Sequence, residues 1–275
     1  GEHIREPGEA LARGAVCLRA GHCLTPADLG LLASLGIPEI AVHRRPRVAF
    51  FSTGDELVGL GQPLAAGQIY DSNRYVLQGL LSKAGCEPID LGRVPDDPAS
   101  IRAVLSDAPG QADVVLSSGG VSEGQADHLP AAVAELGQIH FWKVAMKPGR
   151  PFVCGQLGRC LYFGLPGNPV SVMVTFLILV HPALARLAGG AMPVPLTWPA
   201  RCLSRLKKRA GRQEYQRGRL EQDEQGQWCV ASTGGQGSHV LDSMSRADCL
   251  IVLPPDCAGV AVGELVTVLP LAGLL

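Results

Sequence analysis

The sequence predicts an α/β protein: an open, mostly parallel sheet flanked by helices over residues 47–191, followed by a small C-terminal β-barrel or sandwich over 192–275. Three observations predict it. First, short apolar runs (Val48 to Phe51, Ile89 to Val94, Val114 to Leu116, Phe141 to Met146 and Leu161 to Leu165) alternate with helical patterns, the signature of βαβ units. Second, the texture changes after Met192 to short alternating runs punctuated by glycine, at Arg217 to Glu221, Trp228 to Ser232, Cys249 to Leu253 and Leu265 to Leu269. Third, a chain of 275 residues, 47% apolar and 18% charged, can bury a core in more than one domain.

Residues 1–46 hold too little apolar sequence for a core of their own. Thr25 predicts an N-cap for a helix from Pro26 to Leu35, and Gly36 its stop. The basic run His43-Arg44-Arg45-Pro46-Arg47 reads as a solvated linker. Helices are then expected near Asn73 to Lys83, Ala99 to Ala108, Leu129 to Glu135 and Val170 to Leu187. The last is strongly apolar, but His181, Pro182 and Arg186 argue for a buried helix rather than a membrane span.

A formal net charge of −1 offers no field that would draw the whole chain onto nucleic acid or an anionic membrane, so any attraction for anions must be local. The nine cysteines are an odd number with no C-x-x-C pair, which fits neither a disulfide framework nor a zinc knuckle and suggests buried thiols in a reducing compartment. The polar start, Gly1 to Gly14, lacks the features of a signal peptide, and a cytoplasmic location is the expectation.

The unusual motifs of the α/β region begin where the apolar runs end, the edge at which open α/β sheets bind ligands. The first run gives Ser52-Thr53-Gly54-Asp55-Glu56-Leu57, with two adjacent carboxylates; Asp96-Asp97-Pro98 follows the second, just ahead of a helix that either acid would cap. The third feeds Ser117-Ser118-Gly119-Gly120-Val121-Ser122, a candidate anion nest, with Asp127 beyond it as cap or ligand. In the fourth, Lys143 and Lys147 would share a strand face, where two ammonium groups tolerate each other best across an anion. The fifth ends in Pro166-Gly167-Asn168-Pro169, aiming a helix N-terminus at the same edge with Asn168 as N-cap. Carboxylates at Asp55, Glu56, Asp71, Asp96 and Asp127 would oppose an anionic ligand unless a divalent cation, most simply Mg²⁺, bridged them to it.

Together these blocks, with Tyr70-Asp71-Ser72-Asn73-Arg74, Lys147-Pro148-Gly149-Arg150-Pro151-Phe152, Gly211-Arg212-Gln213-Glu214-Tyr215-Gln216-Arg217-Gly218 and Gly237-Ser238-His239, resemble the molybdopterin molybdenumtransferase family, relatives of the gephyrin E domain. The resemblance implies release of AMP from adenylylated molybdopterin and insertion of molybdate into its dithiolene, assisted by Mg²⁺. It implies catalytic acids at Glu56, Asp96 and Asp127, and a metal site drawn from these and Asp55. Lys143 and Lys147 would hold phosphate or molybdate, the Ser117, Ser118, Gly119, Gly120 and Ser122 loop the phosphates, and Pro166 and Pro169 the pocket floor. Arg217 and Ser238 would reach in from the β region. Thr53, Asp71, Asn73, Arg150 and Asn168 count with them as ligand-binding. The family also implies a homodimer, with a molybdopterin adenylyltransferase or molybdoenzyme chaperones as protein partners.

Family members are longer, and residues 1–46 resemble the remnant of an N-terminal domain; Gly8-Glu9-Ala10 stands where the motif continues Gly-Glu-Asp, one acid fewer. A non-catalytic molybdopterin-binding scaffold and an adenylyltransferase-like enzyme are the alternative readings.

Overall fold

The computed structural model describes residues 3–121, 128–191 and 194–274. Its elements, in chain order, are α1 (Pro26–Ser34), β1 (Arg47–Thr53), β2 (Leu57–Val58), β3 (Ile69–Tyr70), α2 (Asn73–Lys83), β4 (Glu87–Val94), α3 (Pro98–Asp107), β5 (Val114–Ser118), α4 (Leu129–Leu136), β6 (Gln138–Trp142), β7 (Met146–Lys147), β8 (Val153–Leu157), β9 (Cys160–Leu165), α5 (Pro169–Thr175) and α6 (His181–Leu187). The C-terminal region adds β10 (Trp198–Cys202), β11 (Leu206–Lys207), β12 (Gln213–Gln222), β13 (Trp228–Ser232), α7 (Leu241–Ser245), β14 (Cys249–Leu253), β15 (Gly259–Val260) and β16 (Leu265–Pro270).

The main sheet runs β4-β1-β5-β9-β8-β6, with β4, β1, β5 and β9 parallel and β8 antiparallel to both β9 and β6. Alternation along β1 covers both faces. Val48 and Phe50 pack toward α2 and α5, whereas Ala49 and Phe51 pack toward α3 and α4. In the C-terminal region β13-β10-β16-β14-β12 closes on itself through the β12–β13 pairing, a five-stranded barrel that has its own core of Cys202, Val230, Ile251 and Val268.

Three expectations change. The fourth run is not one strand: β6 ends at Trp142, Lys143 takes φ 76°, and Met146–Lys147 instead pairs in parallel with β12 of the barrel sheet. The hairpin strand β8 had no place in the expected order, and it makes the sheet mixed at one edge. The long helix is interrupted by a π turn at Phe176–Val180, although Pro169–Leu187 remains helical throughout and is long and apolar enough to cross a membrane by length and composition. Half of that stretch is buried, its Val170, Val172, Val174, Phe176 and Leu177 packing into the protein core.

That core is continuous from the sheet to the barrel, since Val48, Phe50 and Val174 belong to the same apolar cluster as Tyr215, Met244, Leu250 and Leu269. The linker is pinned rather than loose. Arg44 makes a bidentate pair with Asp113 at 2.5 and 2.6 Å, and Arg47 lies 3.6 Å from Glu87. All nine cysteines are free; Cys86, Cys160, Cys202, Cys229 and Cys249 are buried as expected, but Cys23 is exposed.

Candidate active site

The carboxyl ends of the four parallel strands, β1 at Thr53, β4 at Val94, β5 at Ser118 and β9 at Leu165, open onto one cleft of about 1050 Å³ whose opposite wall comes from the barrel. Each strand end delivers a motif by a local device. After β1, Gly54 at φ 150° turns the chain so that Glu56 lines the cleft. After β4 the two adjacent acids divide the work: Asp97 caps α3, accepting from the Ala99 and Ser100 amides at 3.0 Å, while Asp96 lines the cleft and accepts from Thr53 Oγ1 at 3.4 Å. The two capping bonds make Asp97 structural, whereas Asp96 faces the cleft.

After β5, Gly119 and Gly120 adopt φ 89° and 63°. The Gly119 N–H donates to Leu165 O at 3.1 Å, so that amide serves the fold rather than an anion nest. Ser118 lines the cleft and shares a 3.0 Å hydrogen bond with Ser52, which in turn donates to Asp71 at 3.1 Å. After β9, Pro166 and Asn168 line the cleft; Asn168 stands at the N-cap of α5, where its backbone carbonyl accepts from the Val172 amide and its side chain makes no capping bond.

From the far wall come Lys147, Arg150, Arg217 and Ser238. Arg217 is 1% exposed. Its Nε donates to Ser243 Oγ at 3.0 Å and its Nη2 to Gly235 O and Gly237 O at 3.1 and 3.0 Å, three bonds that hold the guanidinium at the cleft without a carboxylate partner among them. Burial draws its pKa below the usual arginine value. A guanidinium nonetheless stays cationic at neutral pH, so a full positive charge faces a largely desolvated wall.

The structure therefore gathers Thr53, Glu56, Asn73, Asp96, Ser118, Gly119, Gly120, Lys147, Arg150, Pro166, Asn168, Arg217 and Ser238 around one cleft. It leaves others off it. Asp55 is exposed on the turn beside Glu56. Ser117 is buried behind the sheet edge, bonded to Tyr162 Oη at 2.7 Å. Pro169 belongs to the first turn of α5. Lys143 sits with its ammonium 4.9 Å from the centre of the Trp142 ring and does not share a face with Lys147, because the strand expected to carry both is broken between them. Ser122 and Asp127 lie outside the described residues.

Asp71 is 3% and Asn73 5% exposed, and one oxygen of each, Asp71 Oδ2 and Asn73 Oδ1, has no hydrogen-bond partner. Buried oxygens of this kind are rare, and Asn73 lines the cleft. Among the described residues, no three His, Cys, Asp or Glu side chains gather as a metal site. Mg²⁺ does not require such a group, because it commonly takes one or two carboxylates together with substrate phosphates.

Sequence reasoning assigned no role to Glu214, Gln236 or His239, all of which line the cleft. Glu214 stands in a block that carries the family resemblance, but its place depends on the register of β7 with β12, which no local pattern encodes.

Comparison with known proteins agrees with this architecture. Residues 49–186 match the family described as "Probable molybdopterin binding domain", and residues 199–271 match the "MoeA C-terminal region (domain IV)". The molybdopterin molybdenumtransferase of Haemophilus influenzae is 46% identical over all of this chain and 68% of its own length, and molybdopterin molybdenumtransferase 1 of Mycobacterium tuberculosis is 36% identical over 99% of this chain and 65% of its own. The chain thus spans about two thirds of the length of these curated relatives. Two structures of the molybdopterin biosynthesis MoeA protein of Pyrococcus horikoshii superpose with TM-scores of 0.82 and 0.77 at 32% and 31% identity, each over 96% of this chain and 64% and 63% of theirs. With a matched α/β domain, a matched C-terminal barrel and a close relative along its entire length, this chain belongs to the molybdopterin molybdenumtransferase family.

Proposed function

We infer that this chain binds adenylylated molybdopterin and molybdate in the cleft between sheet and barrel and inserts molybdenum into the dithiolene with release of AMP. The observation that carries the reading is the convergence of Glu56 and Asp96 from one wall with Lys147, Arg217 and Ser238 from the other. Release of AMP is hydrolysis of a phosphoanhydride: water adds to phosphorus, the bridging oxygen leaves with its phosphate, and negative charge accumulates on the departing group. Arg217 and Lys147 would offset that charge, and Arg217 is held by three hydrogen bonds. Ser118 and the Gly119-Gly120 turn let the backbone approach the phosphates closely.

Glu56 and Asp96 would hold the Mg²⁺, which when bound supplies charge neutralisation between carboxylate and phosphate oxygens. Asp127 completes the acid set in this reading. Molybdate enters as substrate, an oxyanion for Lys147 and Ser238. We further assign residues 1–46 as an N-terminal segment and linker, 47–191 as the ligand-binding domain and 192–275 as the barrel domain, working as a homodimer in the cytoplasm.

The test is calorimetric titration of molybdopterin into the wild type and into Lys147→Ala. The variant is expected to bind at least tenfold more weakly, a loss of about 1.4 kcal/mol. An unchanged affinity would remove the cleft as the site.

A further inference from the structure

A lysine on the wall of an anion-binding cleft poses a physical problem. Its ammonium rides on a flexible four-carbon stem, and fixing that stem when the ligand binds costs rotamer entropy. The Lys147 side chain is 50% exposed, so packing does not restrain it. What restrains it comes from the barrel: Lys147 Nζ donates to Glu214 Oε1 at 3.1 Å. Glu214 is the register partner of Lys147 in the parallel pairing of β7 with β12, and its own side chain is only 6% exposed.

The carboxylate is itself held. Gln216, two residues along β12 and therefore on the same strand face, donates from Nε2 to the same Glu214 Oε1 at 2.9 Å and to Lys207 O at 3.0 Å. Two donors on one oxygen of a buried side chain leave it little room to move, and Glu214 lines the cleft.

We propose that Glu214 is a positioning residue: it sets the Lys147 ammonium in place for an oxyanion before the ligand binds. This rests on the assignment of the cleft as the molybdopterin site. The reach of the carboxylate, rather than its charge, is what matters. A second consequence follows from the topology, because the α/β region supplies the lysine while the barrel supplies its anchor.

Two conservative substitutions separate reach from charge. Glu214→Asp keeps the charge but withdraws the acceptor by one methylene, about 1.5 Å. Glu214→Gln removes the charge but keeps the acceptor where it is, since two donors facing the same oxygen fix the orientation of the amide. Molybdopterin is titrated into the wild type, Glu214→Asp and Glu214→Gln, and into both substitutions combined with Lys147→Ala.

The Asp variant is expected to bind about fivefold more weakly, of the order set by ordering one lysine side chain, with the Gln variant within about twofold of wild type. In the Lys147→Ala background neither substitution changes the affinity further. The proposal is overturned if the Asp variant binds like wild type, if the Gln variant loses more than the Asp variant, or if the Asp variant loses the same factor with and without Lys147. Lys147→Ala alone reports on the cleft assignment, and the position-214 variants on the anchor, so the two can fail separately.

Discussion

At Gly119 a single missing methyl group holds the edge of the site together. Its φ of 89° lies in the region that side chains other than glycine's rarely adopt, and a Cβ there would run into the carbonyl oxygen of Thr53. Neither penalty has an easy escape, because the obstacle is backbone and the Gly119 amide is tied to Leu165 O. Gly119→Ala is therefore expected to lower unfolding stability by about 2–4 kcal/mol, the sum of a left-handed backbone cost and overpacking. Equilibrium urea unfolding measures this, and a change below about 0.5 kcal/mol would mean the turn relaxes freely. Neighbouring Gly120 meets softer obstacles, Leu129 Cδ1 at 2.8 Å and Thr53 Cγ2 at 2.9 Å, so Gly120→Ala should cost less than Gly119→Ala. The local geometry was legible where a residue type and its chain position together imply it: an aspartate next to a helix start, glycines after a strand, a proline turn before a helix. It was not legible where burial decides. Nothing local separates Ser117, turned into the sheet against Tyr162, from Ser118, turned into the cleft.

Helix α1 shows how an element announces itself. Thr25 caps it and Asp28 returns the favour: Asp28 Oδ2 accepts from the Thr25 amide and hydroxyl at 2.7 Å, while Thr25 Oγ1 accepts from the Asp28 amide at 3.3 Å. The Thr25 hydroxyl, then His22, pulls the Asp28 carboxyl down to about 2 from the usual 3.8. A depressed carboxylate contributes stability that is present above its unfolded pKa and lost as pH falls through its folded one, so this cap should persist to pH 3.8 and fail as pH approaches 2. An NMR titration of the Asp28 carboxyl should place its midpoint near 2, and Thr25→Ala should move it back toward 3.8; a midpoint unmoved by the substitution would show that the hydroxyl is not the cause. Elements with such signals were readable in advance, as were β13 and β14, whose β-branched residues and cysteines fill a closed barrel. Strand β7 was not, because two residues carry no period. Strand β8 was hidden because Gly155 and Gln156 interrupt its apolar pattern; the glycine is required there since a Cβ would meet Gln138 O at 2.6 Å across the hairpin pairing with β6. The shared strand face assigned to Lys143 and Lys147 failed for a related reason, since alternation assumes an unbroken strand and Lys143 breaks it.

The molecule as a whole carries almost no net charge, so any attraction of the cleft for anions must come from local placement, and the cleft is lined from both halves of the chain. Acids and glycines come from the sheet edge; the buried Arg217 and the anchor of Lys147 come from β12. One apolar cluster joins β1 to β14 and β16, so the two regions share packing. A ligand that touches both walls should then stabilise both. Molybdopterin at a hundred times its dissociation constant is expected to raise the unfolding free energy by about 2.7 kcal/mol if it binds only the folded chain. Hydrogen exchange resolves where the gain falls. If Arg217 holds the ligand from the barrel wall and Ser118 from the sheet edge, as proposed, the amides of β12 and of β5 should slow together on titration, with the same midpoint. Protection confined to β5 would mean that the barrel wall is a bystander, and would detach Arg217, Ser238 and Glu214 from the site even if the sheet edge still bound its ligand.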